Sequence, residues 1–173
     1  MLLKKINAVI GLIATVLIFD HAIFNAVWML SKGSIPKTSF MAWVLVGFMA
    51  VHAILSIETS TRQVVANTDA ASYPKKNVMT IVQRVSGMLL IVFTALHIAS
   101  TAGPLNPPKA IHMIMPVLFY TVTLMHVAIS ASKALVTLGV GNAKAIKIID
   151  VIIKAACVAV LAFDLIGFYT FLA

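Results

Sequence analysis

The chain has 173 residues, of which 61% are hydrophobic and only 10% charged, a balance that excludes a soluble globular domain because such a surface needs far more charge. Its net charge of +8 comes without aromatic residues interleaved among the lysines and arginines, which argues against a nucleic-acid groove. The single cysteine, Cys157, excludes an intrachain disulfide and a resident iron–sulfur cluster, which usually takes four thiolates, so any cluster serving this chain belongs to a partner.

Apolar runs long enough to cross ~30 Å of hydrocarbon recur along the chain and predict an all-α integral membrane protein of five transmembrane helices. Lys4 and Lys5 precede Ile6–Phe19, which imitates a signal peptide. Asp20 and His21 stand where a cleavage region would fall, and no small-x-small site is present, so the stretch reads as a retained helix over about residues 6–30. Ser31–Ser39, with Gly33 and Pro36, is a short turn before a second helix at 40–57 that carries His52. Glu58–Asn77 is the longest polar connection and holds Arg62, Asp69, Pro74, Lys75 and Lys76. A third helix spans 78–100, and a proline-rich loop over Thr101–Lys109 leads to a fourth at 110–138. Gly139–Lys147 turns the chain into a fifth at 148–171. The whole reads as one domain.

Lysine and arginine placement predicts the orientation. With the N-terminus in the cytoplasm, Lys4, Lys5, Arg62, Lys75, Lys76, Arg84, Lys133, Lys144, Lys147 and Lys154 lie inside, against Lys32, Lys37 and Lys109 outside. The C-terminus is then external. On the third helix Ser86, Leu90 and His97 fall on one stripe, with Phe93 beside it. At ~1.5 Å per residue, His21 and His97 lie in the outer half, and His52 and His126 in the inner half. Roughly 10 Å along the membrane normal separates the two pairs, by the same rise.

An intramembrane imidazole is costly and marks function by default. Alone, it is more often a helix–helix hydrogen bonder; four of them, one per helix and paired by depth, match what two bis-histidine b haems require. Zinc fits poorly, because two separated levels cannot offer four ligands to one ion. Gly87, Gly47, Ala53, Ala95, Ala99, Ala128 and Ser130 are small enough to admit a flat ring. Arg62, Arg84 and Lys133 are candidates for inner haem propionates, and Lys32, Lys37 or Lys109 for outer ones. His112 reads as interfacial, with at most a side role at the outer site.

The motif QRVSG (Gln83–Gly87) followed by an apolar helix and LHI (Leu96–Ile98) resembles the third helix of the five-helix, dihaem cytochrome b membrane anchors of succinate:quinone oxidoreductases, the succinate dehydrogenases and quinol:fumarate reductases. His21 in FDHAIFN, His52 in VHAIL and His126 in MHVAI stand on the other three helices, as that family's ligands do. The resemblance covers essentially the whole chain. It implies His21 and His97 as axial ligands of a distal haem, and His52 and His126 of a proximal one. It further implies a bacterial inner-membrane protein, a flavoprotein with FAD and an iron–sulfur subunit docked on the cytoplasmic face, and electron relay to or from a membrane quinone, with menaquinone the expected one. Arg84, Ser86 and Gly87 fall at its haem-facing entry. The dicarboxylate chemistry would belong to the partner flavoprotein, and this chain itself carries no nucleotide motif.

Quinone chemistry also needs protons. Asp20 and Asp164 stand at outer-half depth, and Asn25 and Trp28 share a helix face with His21, so these four are the quinone or proton candidates; the aspartates read equally well as helix–helix bonders. Glu58 is expected to pair with Arg62 or Arg84, and no role is assigned to Tyr73 or Tyr120. Rival readings are a dihaem anchor for another dehydrogenase, a haem-free structural anchor, and a small proton or solute transporter using the histidines and Asp164. The last predicts helix breaks and an internal repeat. Only Gly47 and a weak histidine rhythm between the first and second pairs of helices point that way.

Overall fold

A computed structural model of the chain describes residues 2–35, 39–66, 78–102 and 109–172. Lys37, Asp69, Tyr73, Pro74, Lys75 and Lys76, with the side chains of Lys109 and His112, lie outside the described residues. Five helices follow in order: α1 (Leu2–Leu30), α2 (Phe40–Ala66), α3 (Val78–Thr101), α4 (Lys109–Leu138) and α5 (Ala143–Leu172). Each contains a segment long and apolar enough to cross a membrane. The fold is an all-α membrane bundle. Large apolar side chains such as Val16, Ile54, Met88, Val151 and Val158 are exposed, as lipid-facing positions should be.

Three boundaries run beyond the sequence expectation, the first being the start of α1 at Leu2 rather than 6. α2 continues to Ala66 rather than ending at 57. Its added turns are polar, and Glu58 pairs with Arg62 one turn on, an order of charges that supports a helix outside lipid. α5 begins at Ala143 rather than 148, because the Asn142 side-chain oxygen accepts the Ala145 N–H at 2.9 Å and caps the helix. Between α4 and α5, Gly139 (φ 76°) closes α4, its N–H donating to the Val136 carbonyl and that of Val140 to Leu135. The end of α1 is built alike, except that Lys32 occupies the left-handed position at φ 50°. Pro116 lies inside α4, a helix-breaking residue additional to Gly47 that does not end the helix.

α1 and α4 pack on each other, and α5 packs on both. α2 flanks α1, and α3 flanks α4. The stripe Ala8, Ala14, Ala22 and Ala26 on α1 is buried, since small side chains let the helices close on it. The core holds Leu124, Val127 and Cys157, with Ile18, Phe19, Ile153 and Leu161 against them. Neither α1 with α3 nor α2 with α4, the two pairs carrying depth-matched histidines, is among the extensively packed pairs. At the polar ends, Ser132 donates to Asp150 at 2.8 Å, tying α4 to α5, and Asp150 also pairs with Lys154.

Candidate histidine sites

Two imidazoles each lie against a glycine in the N-terminal half of a neighbouring helix, α1 or α3. The His52 ring lies against Gly11, where a Cβ would stand 2.8 Å from its Cε1. Its Nδ1 is 3.3 Å from the Asn7 carbonyl. A carbonyl only accepts, so Nδ1 carries the proton and Nε2 keeps its lone pair. The His126 ring lies against Gly87 in the same way, with a Cβ there 3.2 Å from Cε1. Its Nδ1 is 2.9 Å from Ser86 Oγ, which is fully buried and donates its one proton to the Gln83 carbonyl at 3.1 Å. The hydroxyl oxygen therefore accepts from Nδ1, and His126 also presents a bare Nε2. The two histidines lie within electrostatic range of each other.

Each ring has the hydrogen-bond pattern that a metal-ligating histidine would need. A ligating histidine usually gives its other N–H to a carbonyl or similar acceptor, which fixes tautomer and orientation. That is the arrangement here, with Nε2 of both rings left for iron.

Ten residues further along α1 and α3, about 15 Å of helix by the rise per residue, stand His21 and His97. His21 Nε2 is 2.9 Å from the Asn25 side-chain nitrogen, which can only donate, so the lone pair needed for a metal is held by Asn25. Asn25 also lies beside Tyr120. The next residue back on α4, Phe119, stacks on the His97 ring at a centroid distance of 5.2 Å. Neighbouring residues of α4 thus join the two outer histidines into one layer. Ligation by His21 requires Asn25 to release it.

Asp164 on α5 completes this layer. It is 2% exposed, neither carboxylate oxygen has a hydrogen-bond partner among the described residues, and it lies within electrostatic range of Tyr120. Asp20, its equal in the sequence, is exposed. Trp28 is tilted against Phe171 of α5 at 5.2 Å. Of the cation candidates, Arg62 is exposed and paired with Glu58, Arg84 is half-buried with contacts of its own, Lys32 is exposed, and Lys133 donates to the Gln83 side chain at 2.8 Å. Gly47 is open, with nothing within 4 Å of a Cβ there. The residues alone singled out neither Gly11 nor Asn7 and gave Tyr120 no role; for Gly11 the one available signal was its spacing from His21, matched by Gly87 and His97.

No known protein family, curated protein or solved structure matches the chain.

Proposed function

We propose that the chain is the membrane anchor and electron-transfer subunit of a succinate dehydrogenase or quinol:fumarate reductase, in which His52 and His126 hold an inner b haem and His21 and His97 an outer one. The observation that carries this reading is the inner pair: two imidazoles from different helices, each with Nδ1 engaged and Nε2 without a hydrogen bond among the described residues. Bound haem supplies reversible one-electron chemistry, with a potential set by its axial ligands. The chain's own part is to orient the rings, keep the pair dry between apolar helices, and hold the two levels about 15 Å apart along the helices. Asn25 and Tyr120 form a polar group beside the outer level, with Asp164 as a buried proton carrier for a quinone, menaquinone by expectation, while Asp20 and Trp28 are left to lesser roles there. Partner subunits carry FAD and iron–sulfur clusters and dock on the basic, cytoplasmic side of the inner membrane.

A second reading, a proton path without haem, draws on the unpartnered Asp164 in the same layer as His21. A reduced-minus-oxidised spectrum with a pyridine haemochrome assay separates the two. The first predicts two b haems per chain, one lost in His97→Ala and the other in His52→Ala. A folded chain that binds no haem when supplied with it leaves only the second.

A further inference from the structure

The hairpins α1–α2 and α3–α4 repeat one pattern. Asn7, Gly11 and His21 match Gln83, Gly87 and His97, each 76 positions on, while His52 and Ser56 match His126 and Ser130, each 74 positions on. The contacts repeat as well. Each imidazole of the inner pair lies on the glycine of its own hairpin's first helix. In the first copy Nδ1 meets the Asn7 carbonyl directly, and in the second it meets Ser86 Oγ, which is bonded to the Gln83 carbonyl, each carbonyl lying one turn before that glycine.

The copies differ in how firmly they hold the ring. In the first, the Asn7 side chain reaches across to Ser56 at 3.0 Å, and His52 has only the 3.3 Å bond to the carbonyl. In the second, the Gln83 side chain accepts from Lys133 instead, and Ser130 Oγ is buried with no hydrogen-bond partner among the described residues. There Ser86 stands between the ring and the backbone, at 2.9 Å from Nδ1. The position matching Ser86 in the first copy is Ile10, which has no hydroxyl.

We propose that Asn7–Gly11 and Gln83–Gly87 form a duplicated imidazole seat, and that Ser86, lacking a counterpart at Ile10, is a positioning residue that makes His126 the stronger electron donor of the inner pair. A firm acceptor at Nδ1 raises the basicity of the coordinating nitrogen, and a more basic ligand favours oxidised iron. This rests on the haem reading above. It concerns how one ligand is tuned, which no histidine-deletion experiment addresses.

The test uses the full chain in detergent and the haem that His52→Ala removes, read by redox titration and by the EPR spectrum of the oxidised state. Ser86→Ala is expected to shift that haem's midpoint potential upward and alter its EPR signal, with the outer haem unmoved. Ser86→Thr restores both values. Ile10→Ser, which adds the missing hydroxyl, shifts the same potential downward and decides the matter should Ser86→Ala fail to assemble. In the haem-free chain, isotope-labelled histidine NMR is expected to show His126 as the Nδ1–H tautomer, and a mixture in Ser86→Ala. Two haems with unchanged potentials and spectra in all three variants overturn the seat while leaving the haem reading intact. A wild-type chain without haem overturns both, and is distinguished by that absence.

Discussion

Gly167 of α5 is pressed against Ala26 of α1 so closely that a Cβ at position 167 would stand 3.0 Å from the Ala26 carbonyl oxygen and 3.2 Å from its Cα. The obstacle is backbone, which cannot turn aside. Gly167→Ala therefore pushes α5 off α1 and is expected to lower stability by about 1–3 kcal/mol, the usual cost of overpacking. Unfolding in mixed micelles, followed by circular dichroism, measures it. The same displacement moves Asp164, one turn earlier, away from Tyr120.

Asp164 distinguishes a functional carboxyl from a structural one. Its oxygens are buried without partners, an arrangement that costs stability. Asp164→Leu is expected to stabilise the fold by about 1–3 kcal/mol. In the assembled complex it should depress quinone turnover by a factor of about 10², a typical loss for a proton-transferring group. Haem content should stay at the wild-type level. A loss of stability in this variant points instead to helix–helix bonding by the carboxyl. Asp20→Leu, at an exposed position, is the comparison and should lower turnover less than Asp164→Leu does.

Glycines offer a second contrast. Gly11→Ala places a Cβ 2.8 Å from the His52 ring and, on the proposed haem reading, is expected to abolish the inner haem while sparing the outer one. Gly47→Ala meets open space and should keep both haems, with up to about 1 kcal/mol gained from helix propensity. Haem stoichiometry of the two purified variants gives the answer directly.

Lys32 holds a left-handed backbone conformation at φ 50°, which costs a residue with a Cβ roughly 1 kcal/mol. Lys32→Gly is expected to recover most of that and to raise the thermal midpoint without changing haem content. A lowered haem content would show that the Lys32 charge contributes to the outer site.

The five spans were legible in the residues because lipid demands long apolar segments whose backbone is satisfied internally, and only helices meet that demand here. The helix ends were legible less well. The polar turns after Ile57 and the Asn142 cap lie outside the apolar pattern and depend on local hydrogen bonds. Spacing placed Asn25 one turn from His21, and the two are in contact.

What the amino-acid sequence determined by itself was the membrane class, the number of helices and the presence of at least one histidine on each of four, since hydropathy and helical period are properties of a chain read alone. Tertiary structure decided which aspartate is buried, which glycine carries a ring, and which nitrogen of each imidazole is engaged. Asp20 and Asp164 look equivalent in sequence, yet one faces outward and the other is enclosed by packing that involves residues more than a hundred positions away. The tautomers of His52 and His126 depend on a carbonyl and a hydroxyl of neighbouring helices. A backbone carbonyl offers no signal in a sequence, because every residue has one and only the fold selects which will be met.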